Sequence, residues 1–367
     1  MQTQVQCSSV DPHEHAVRYA EMLAEITPPG MTRSYFGLSG TEAVENAVKL
    51  ACQYTGRSEV IAVRGAHRGL SGLAVNLTSC PGWRPGRILM PGIRHAVQPN
   101  CHRCAFKPKY PSCGVACAWD IEEIIRRTTS GQIAAFIGEP LAGVSGLIRP
   151  PVEYFKIVQD ITHKYGALFI ADEVPTMFGR TGRYWNGSAH WAGVPDIMAI
   201  GKSIAGGTPL SGVVTTPEIA NGMKVQLIST FQQNPVSLAG AIAVLEVLKE
   251  EARPSYVEAI GNEIRAGFER LTAKYPVVGN ILGKGCMQGI ELVKDRDTKQ
   301  PFGADERGLR GNQGSRPADR RGRGQERVPL HAAARTPEGA CDQGHRDPGR
   351  CHRRRAGVIG VVELSQA

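Results

Sequence analysis

The chain predicts an α/β fold with a mainly parallel sheet covered by helices. Three observations carry this. Short apolar runs alternate with helical patterns from Ile133 onward. The runs at 167–171 and 197–200 are apolar throughout rather than alternating, as strands buried on both faces are. Loops rich in polar residues and glycine follow the strands, where ligands of open α/β sheets bind.

The elements follow in order. Asp11-Pro12 is a helix start, with a capping side chain and proline in the first turn, and Pro28-Pro29-Gly30 stops that helix near Ile26. Phe36 to Thr41 reads as a loop feeding a second helix, whose apolar stripe is Val44, Ala47, Val48 and Ala51. Residues 60–63 read as a strand. From Ser79 to Ala118 the chain is rich in Pro, Gly and Cys and reads as a long irregular excursion. Strands are then expected at 133–137, 167–171, 197–200 and 211–215, and helices at 152–164, 235–250 and 257–273. The domain reading is an N-terminal remnant over 1–30, a large domain over 31–252, the start of a small α+β domain over 253–302, and a tail over 303–367.

A chain of 367 residues can bury a large core, and 41 % hydrophobic content is ordinary for a globular protein. No apolar run is long enough to span a membrane. The N-terminus lacks a basic region followed by an apolar stretch, so cytoplasm is the expected compartment. Net charge is +9, but 13 arginines face 7 acids between Gly303 and Arg355, so about two thirds of it lies in the tail. The main body therefore gives no sign of a nucleic-acid or membrane partner. Ten cysteines are many, and Cys101, Cys104, Cys113 and Cys117 are clustered. Without a secretion signal, metal binding or reduced thiols packed as small apolar groups remain open, with no metal as the working expectation.

Lys202 is the most informative residue. It follows one apolar strand, and Asp172 ends another about 30 residues earlier. An amine and a carboxylate are thus delivered to one end of one sheet. That pair suits pyridoxal phosphate: the lysine for a Schiff base, the carboxylate to keep the ring nitrogen protonated. Burial of Lys202 would favour its neutral, nucleophilic form. Ser39-Gly40-Thr41 opens a helix, and its free N–H groups and dipole suit a phosphate, although a simple N-cap has the same residues.

Together these segments resemble the class III (ω-type) pyridoxal phosphate aminotransferases, over roughly residues 8–300. The matching stretches are Ser39-Gly-Thr-Glu-Ala43, Gly138-Glu-Pro-Leu-Ala-Gly143, Asp172 to Gly182, Pro195-Asp-Ile197 with Gly201-Lys202, and Thr230-Phe-Gln-Gln-Asn-Pro235. Thr215 to Ala220 and Ala243 to Leu248 are most similar to the alanine–glyoxylate aminotransferase 2 branch. The resemblance implies the fold type I architecture, pyridoxal 5'-phosphate as cofactor, and transamination between an amino acid or ω-amine and a 2-oxo acid or aldehyde. It implies Lys202 as Schiff-base lysine and proton shuttle, and Asp172 on the ring nitrogen. Val174 would pack on one ring face and His67 would stack on the cofactor. Ser39, Gly40 and Thr41 would serve the phosphate, helped by Thr230 from the other subunit of a homodimer, with Glu139 beside the substrate pocket.

The chain departs from the family at three places. Pro175 stands where a glutamine usually bonds the ring hydroxyl, and Met177 where glycine is usual. His67-Arg68-Gly69 stands where the family has Tyr-His-Gly. Beyond about residue 303 the family pattern stops. Codons able to encode Glu326 to Ala334, read one nucleotide later, can spell Asn-Val-Phe-Arg-Cys-Met-Pro-Pro-Leu, which the family has there. The expectation is a frameshift near 303–310, a disordered tail after it, and an N-terminus shorter than the family's. Two rival functions follow: a catalytically dead remnant of such an enzyme, or a related pyridoxal phosphate mutase or decarboxylase. A cysteine-based metal protein is a third.

Overall fold

A computed structural model of the chain describes residues 13–84, 90–107 and 109–301. Asp11, Pro12 and the 303–367 tail, including the expected frameshift, lie outside them. In chain order the first seven strands are β1 (Arg33–Gly37), β2 (Glu59–Val63), β3 (Ile93–Ala96), β4 (Ile133–Gly138), β5 (Leu168–Asp172), β6 (Ile197–Ile200) and β7 (Ser211–Thr215). The helices are α1 (Glu14–Ala24), α2 (Gly40–Thr55), α3 (Gly72–Leu77), α4 (Ala116–Thr128), α5 (Tyr154–Lys164), α6 (Pro217–Asn221), α7 (Pro235–Glu250) and α8 (Arg253–Lys274).

The seven strands form one sheet in the order β1-β7-β6-β5-β4-β2-β3. From β6 through β5, β4 and β2 to β3 every pairing is parallel. β7 runs antiparallel to both β6 and β1. Each parallel strand feeds alternate residues to opposite faces. Ile61, Val63, Phe136, Phe169, Ala171, Met198 and Ile200 pack with α1, α4, α5 and α7 on one side. Val60, Ala62, Ala135, Ile137, Leu168, Ile170, Ile197 and Ala199 pack with α2 on the other. Burial on both faces explains why these strands read as continuous apolar runs. Phe155 of α5 stacks on Phe169 with ring centroids 5.2 Å apart, and Phe136 lies 6.0 Å from Phe169. Each such side chain, fully buried, contributes about 1.5–3 kcal/mol.

A second, antiparallel sheet holds β8 (Val278–Lys284), β9 (Met287–Asp295) and β10 (Gln300–Pro301), with α8 packed against it. The tight β8–β9 turn carries Gly285 at φ +59. A Cβ there would fall 2.3 Å from the Thr181 carbonyl carbon, so only glycine lets the turn lie on the loop after β5.

Two expectations need correction. Phe36 and Gly37 are not loop: they close β1, which pairs with β7 along its whole length. The 79–118 excursion is not irregular throughout. It contains β3, paired in parallel with β2 from Val60↔Ile93 to Val63↔Ala96, and it ends inside α4. In both cases pairing with a distant strand supplies the order. α8 also begins at Arg253, with Pro254 in its first turn, four residues before the expected start. Among the described residues no helix is long and apolar enough to cross a membrane.

Candidate active site

β5 and β6 are parallel neighbours, with Asp172 opposite Ala199. Asp172 closes β5 and is buried, and β6 ends two residues before Lys202. The sheet therefore brings the amine and the carboxylate to the same edge, as the sequence implies. Gly201 is where three elements meet: a Cβ on it would lie 3.5 Å from Val174 Cγ1 and 3.6 Å from Gly40 Cα. A Cβ on Gly40 would lie 3.0 Å from Val174 Cγ1. The first turn of α2, the loop after β5 and the end of β6 are thus in close packing around Val174.

Lys202 opens a short 3-10 turn and sits at φ +53, a left-handed conformation uncommon for a residue with a Cβ. It is exposed. The burial expected of it is therefore not supplied by the described residues of this chain.

At the start of α2, Ser39 is an N-cap whose Oγ accepts from Glu42 N at 3.2 Å, while Glu42 Oε2 accepts from Leu38 N at 2.7 Å. This exchange leaves the N–H groups of Gly40 and Thr41 uncommitted among the described residues, at the positive end of the helix dipole. Ser39 is thus the cap, and Gly40 and Thr41 are the free donors.

The loop after β2 carries His67, Arg68 and Gly69. It is tied to the start of α2: at Gly69, φ +141, a Cβ would fall 2.4 Å from Thr41 Oγ1. His67 is half-buried, and its ring lies 5.0 Å from that of Trp83. Burial pushes its pKa down, and the positive charges of Lys202 and Arg68 add to this, against Asp172. Both effects favour the uncharged ring, which suits a flat stacking surface.

Arg68 is a member of the site that sequence reasoning passed over. Its side chain is fully buried, and its Nη1 donates both to Asp172 Oδ2 and, at 3.1 Å, to Glu139 Oε1. Its Nε and Nη2 are buried without a hydrogen-bond partner among the described residues. Asp172 Oδ1 accepts from Val174 N at 3.2 Å, and Glu139 Oε2 from Gly143 N at 2.7 Å. Burial pushes the Glu139 carboxyl above its usual range, the neighbouring Asp172 adds to this, and Arg68 opposes it. Glu139 thus faces Arg68 rather than standing alone. The replacement of histidine by arginine after the stacking position was the available signal.

Glu173 is a second residue that was not singled out. It is fully buried and accepts from Thr176 Oγ1 at 2.5 Å, Gly187 N at 2.8 Å and Ser188 N at 2.6 Å, so it organises the loop after Asp172. Pro175 and Met177 are buried within that same loop. Thr230 is exposed in the segment before α7.

Cys101, Cys104, Cys113 and Cys117 line one cleft with Phe106 and Tyr110. Burial, together with the other three thiols, pushes Cys117 up to about 12. Among the described residues no group of three or more His, Cys, Asp or Glu is arranged to hold a metal ion. The four are free thiols.

The architecture is that of transaminases. The omega transaminase from Pseudomonas jessenii, solved in complex with PMP, superposes with a TM-score of 0.78 at 30 % identity, covering 83 % of this chain and 71 % of that one. The class III aminotransferase family model matches residues 1–313, and the chain belongs to that family, whose members depend on pyridoxal phosphate. It is 36 % identical over 293 residues to the mitochondrial alanine–glyoxylate aminotransferase 2 homolog 2 of Arabidopsis thaliana, covering 79 % of this chain and 60 % of the relative. It is 32 % identical over 294 residues to the leucine/methionine racemase of Thermococcus litoralis, covering 77 % and 64 %. The chain thus spans less than two thirds of the length of these curated relatives.

Proposed function

We propose that the chain transfers an amino group from an amino acid or ω-amine to a 2-oxo acid or aldehyde, with pyridoxal phosphate held at Lys202. The observation that carries this is the placement of Lys202 and Asp172 at the ends of adjacent parallel strands, beside the N-terminus of α2.

The residues present fit the cofactor's chemistry. Lys202 offers Nζ to the aldehyde. The N–H groups of Gly40 and Thr41 are open to a phosphate at a helix N-terminus. Neutral His67 and the Val174 side chain offer apolar surfaces for the two faces of a ring. The closest approach of Gly40 to Val174 is one that a Cβ would crowd, so the cradle requires glycine. When bound, pyridoxal phosphate supplies an electron-withdrawing group that takes up the amino nitrogen and acidifies the adjacent C–H.

The chain's own residues then orient and move protons. Asp172 presents a buried carboxylate to the ring nitrogen. Lys202 Nζ would be the base that moves the proton from Cα of the amino donor. The class III family supports a homodimer, in which a partner subunit would contribute Thr230 to the phosphate. Glu139 acts through Arg68, which it shares with Asp172. The name of the Arabidopsis relative makes alanine and glyoxylate the first pair to assay.

The test is a titration with pyridoxal phosphate followed by visible absorbance, on the wild type and on Lys202→Ala. A lysine-dependent visible band is expected in the wild type alone. The same spectrum in both proteins contradicts the reading.

A further inference from the structure

The carboxylate that should meet the ring nitrogen already has a cation. Arg68 contacts Asp172 and Glu139 with side-chain exposures of 0 %, 3 % and 5 %. Two buried carboxylates this close repel each other unless a cation lies between them. Arg68 fills that place, and a guanidinium is a permanent charge.

The mode of contact matters. A guanidinium can grip a carboxylate with two parallel bonds. Arg68 instead reaches both acids through Nη1 alone, while Nε and Nη2 have no partner among the described residues. Such a one-cornered contact can release Asp172 and keep Glu139. The titratable groups that face this point come from several elements. Arg68 comes from the loop after β2, Lys202 from the end of β6, Glu139 from the end of β4 and Asp172 from the end of β5, with neutral His67 beside them. With a neutral side chain at position 68, Asp172 would lose this cation and be open to a protonated ring nitrogen.

We propose that Arg68 is an internal counter-cation that holds Asp172 and Glu139 in the cofactor-free protein and competes with the cofactor's ring nitrogen for Asp172. This rests on the assignment of Lys202 and Asp172 to pyridoxal phosphate. Arg68 is a positioning residue here, acting through Asp172. The consequence is a stable cofactor-free state and weak, reversible cofactor uptake.

The experiment compares wild type, Arg68→His, Arg68→Lys and Arg68→His/Glu139→Gln. It measures the dissociation constant for pyridoxal phosphate, the melting temperature without cofactor, and the ¹⁵N signal of ring-labelled pyridoxal phosphate bound to each. Arg68→His should melt several degrees lower without cofactor and bind it about ten-fold more tightly, the scale of one charge-assisted hydrogen bond. Its ring-nitrogen signal should move toward the protonated form. Arg68→Lys should keep the wild-type values. The double variant also removes the acid that Arg68 would leave without its partner, so it should fold even where Arg68→His does not, and should also bind more tightly than wild type. Unchanged or weaker binding in the histidine and double variants, with an unmoved nitrogen signal, overturns the inference while attachment at Lys202 still stands. Failure of every variant and the wild type to take up the cofactor overturns both the inference and the function on which it rests.

Discussion

Asp172 and Lys202 reach the site from neighbouring strands, whereas His67 and Arg68 reach it on a loop. The first pair is placed by the sheet lattice. β5 and β6 are buried on both faces, so their ends cannot shift without disturbing the core. The second pair is placed by contacts made one at a time: Gly69 against Thr41, Arg68 N on Thr78 Oγ1 at 2.8 Å, and the guanidinium on two acids. In the proposed site, strand-borne groups would set where the chemistry occurs and loop-borne groups would adjust its charge.

Removing the charge that joins the two halves should have the largest effect. Asp172→Ala leaves the buried Arg68 with Glu139 alone, and a loss of about 3 kcal/mol is expected from breaking a buried pair. Urea unfolding of the cofactor-free protein measures it. A loss no greater than that of an average surface change would mean that the pair is not formed. Next comes Gly69→Ala, which puts a Cβ against Thr41 at a positive φ. About 2 kcal/mol of destabilisation is expected, with weaker cofactor binding, because the loop must pull away from α2. If stability falls but cofactor affinity does not, the loop half is not part of the site.

The smallest effect is a pH dependence at a histidine outside both pairs. Burial lowers His190 to about 4 from its usual 6.5, and the charges of Lys284 and Arg183 add to this. The folded protein therefore binds fewer protons there than the unfolded chain. Its stabilising contribution is complete above pH 6.5 and is lost as pH falls from 6.5 toward 4. The melting temperature should decline over that window, and less steeply in His190→Gln. Equal slopes in the two proteins would show that other groups govern the acid limb.

Much of the strand half was legible in the sequence. The apolar run at 197–200 is β6 as read, 211–215 is β7, and Asn234-Pro235 marks the start of α7, where Asn234 Oδ1 caps Val236 N and Ser237 N. These are local signals of hydrophobicity, capping and turn chemistry. β1 was hidden because Arg33, Ser34 and Tyr35 are not buried, and its order comes from β7, far along the chain. β3 was hidden likewise, a four-residue edge strand of Ile-Arg-His-Ala inside a cysteine-rich stretch. Arg68 was hidden for the same reason in sharper form. A buried arginine is stable only with partners, and its partners lie 71 and 104 residues away. The arginine in place of the family's histidine marks the position, but nothing local announces its partners.

The central claim is that Lys202 carries the cofactor. Borohydride reduction of the protein mixed with pyridoxal phosphate, followed by peptide mass mapping, tests it most directly. The account predicts one stoichiometric adduct on the peptide containing Lys202, absent from Lys202→Ala. Adducts scattered over surface lysines, or a single adduct elsewhere, would contradict it.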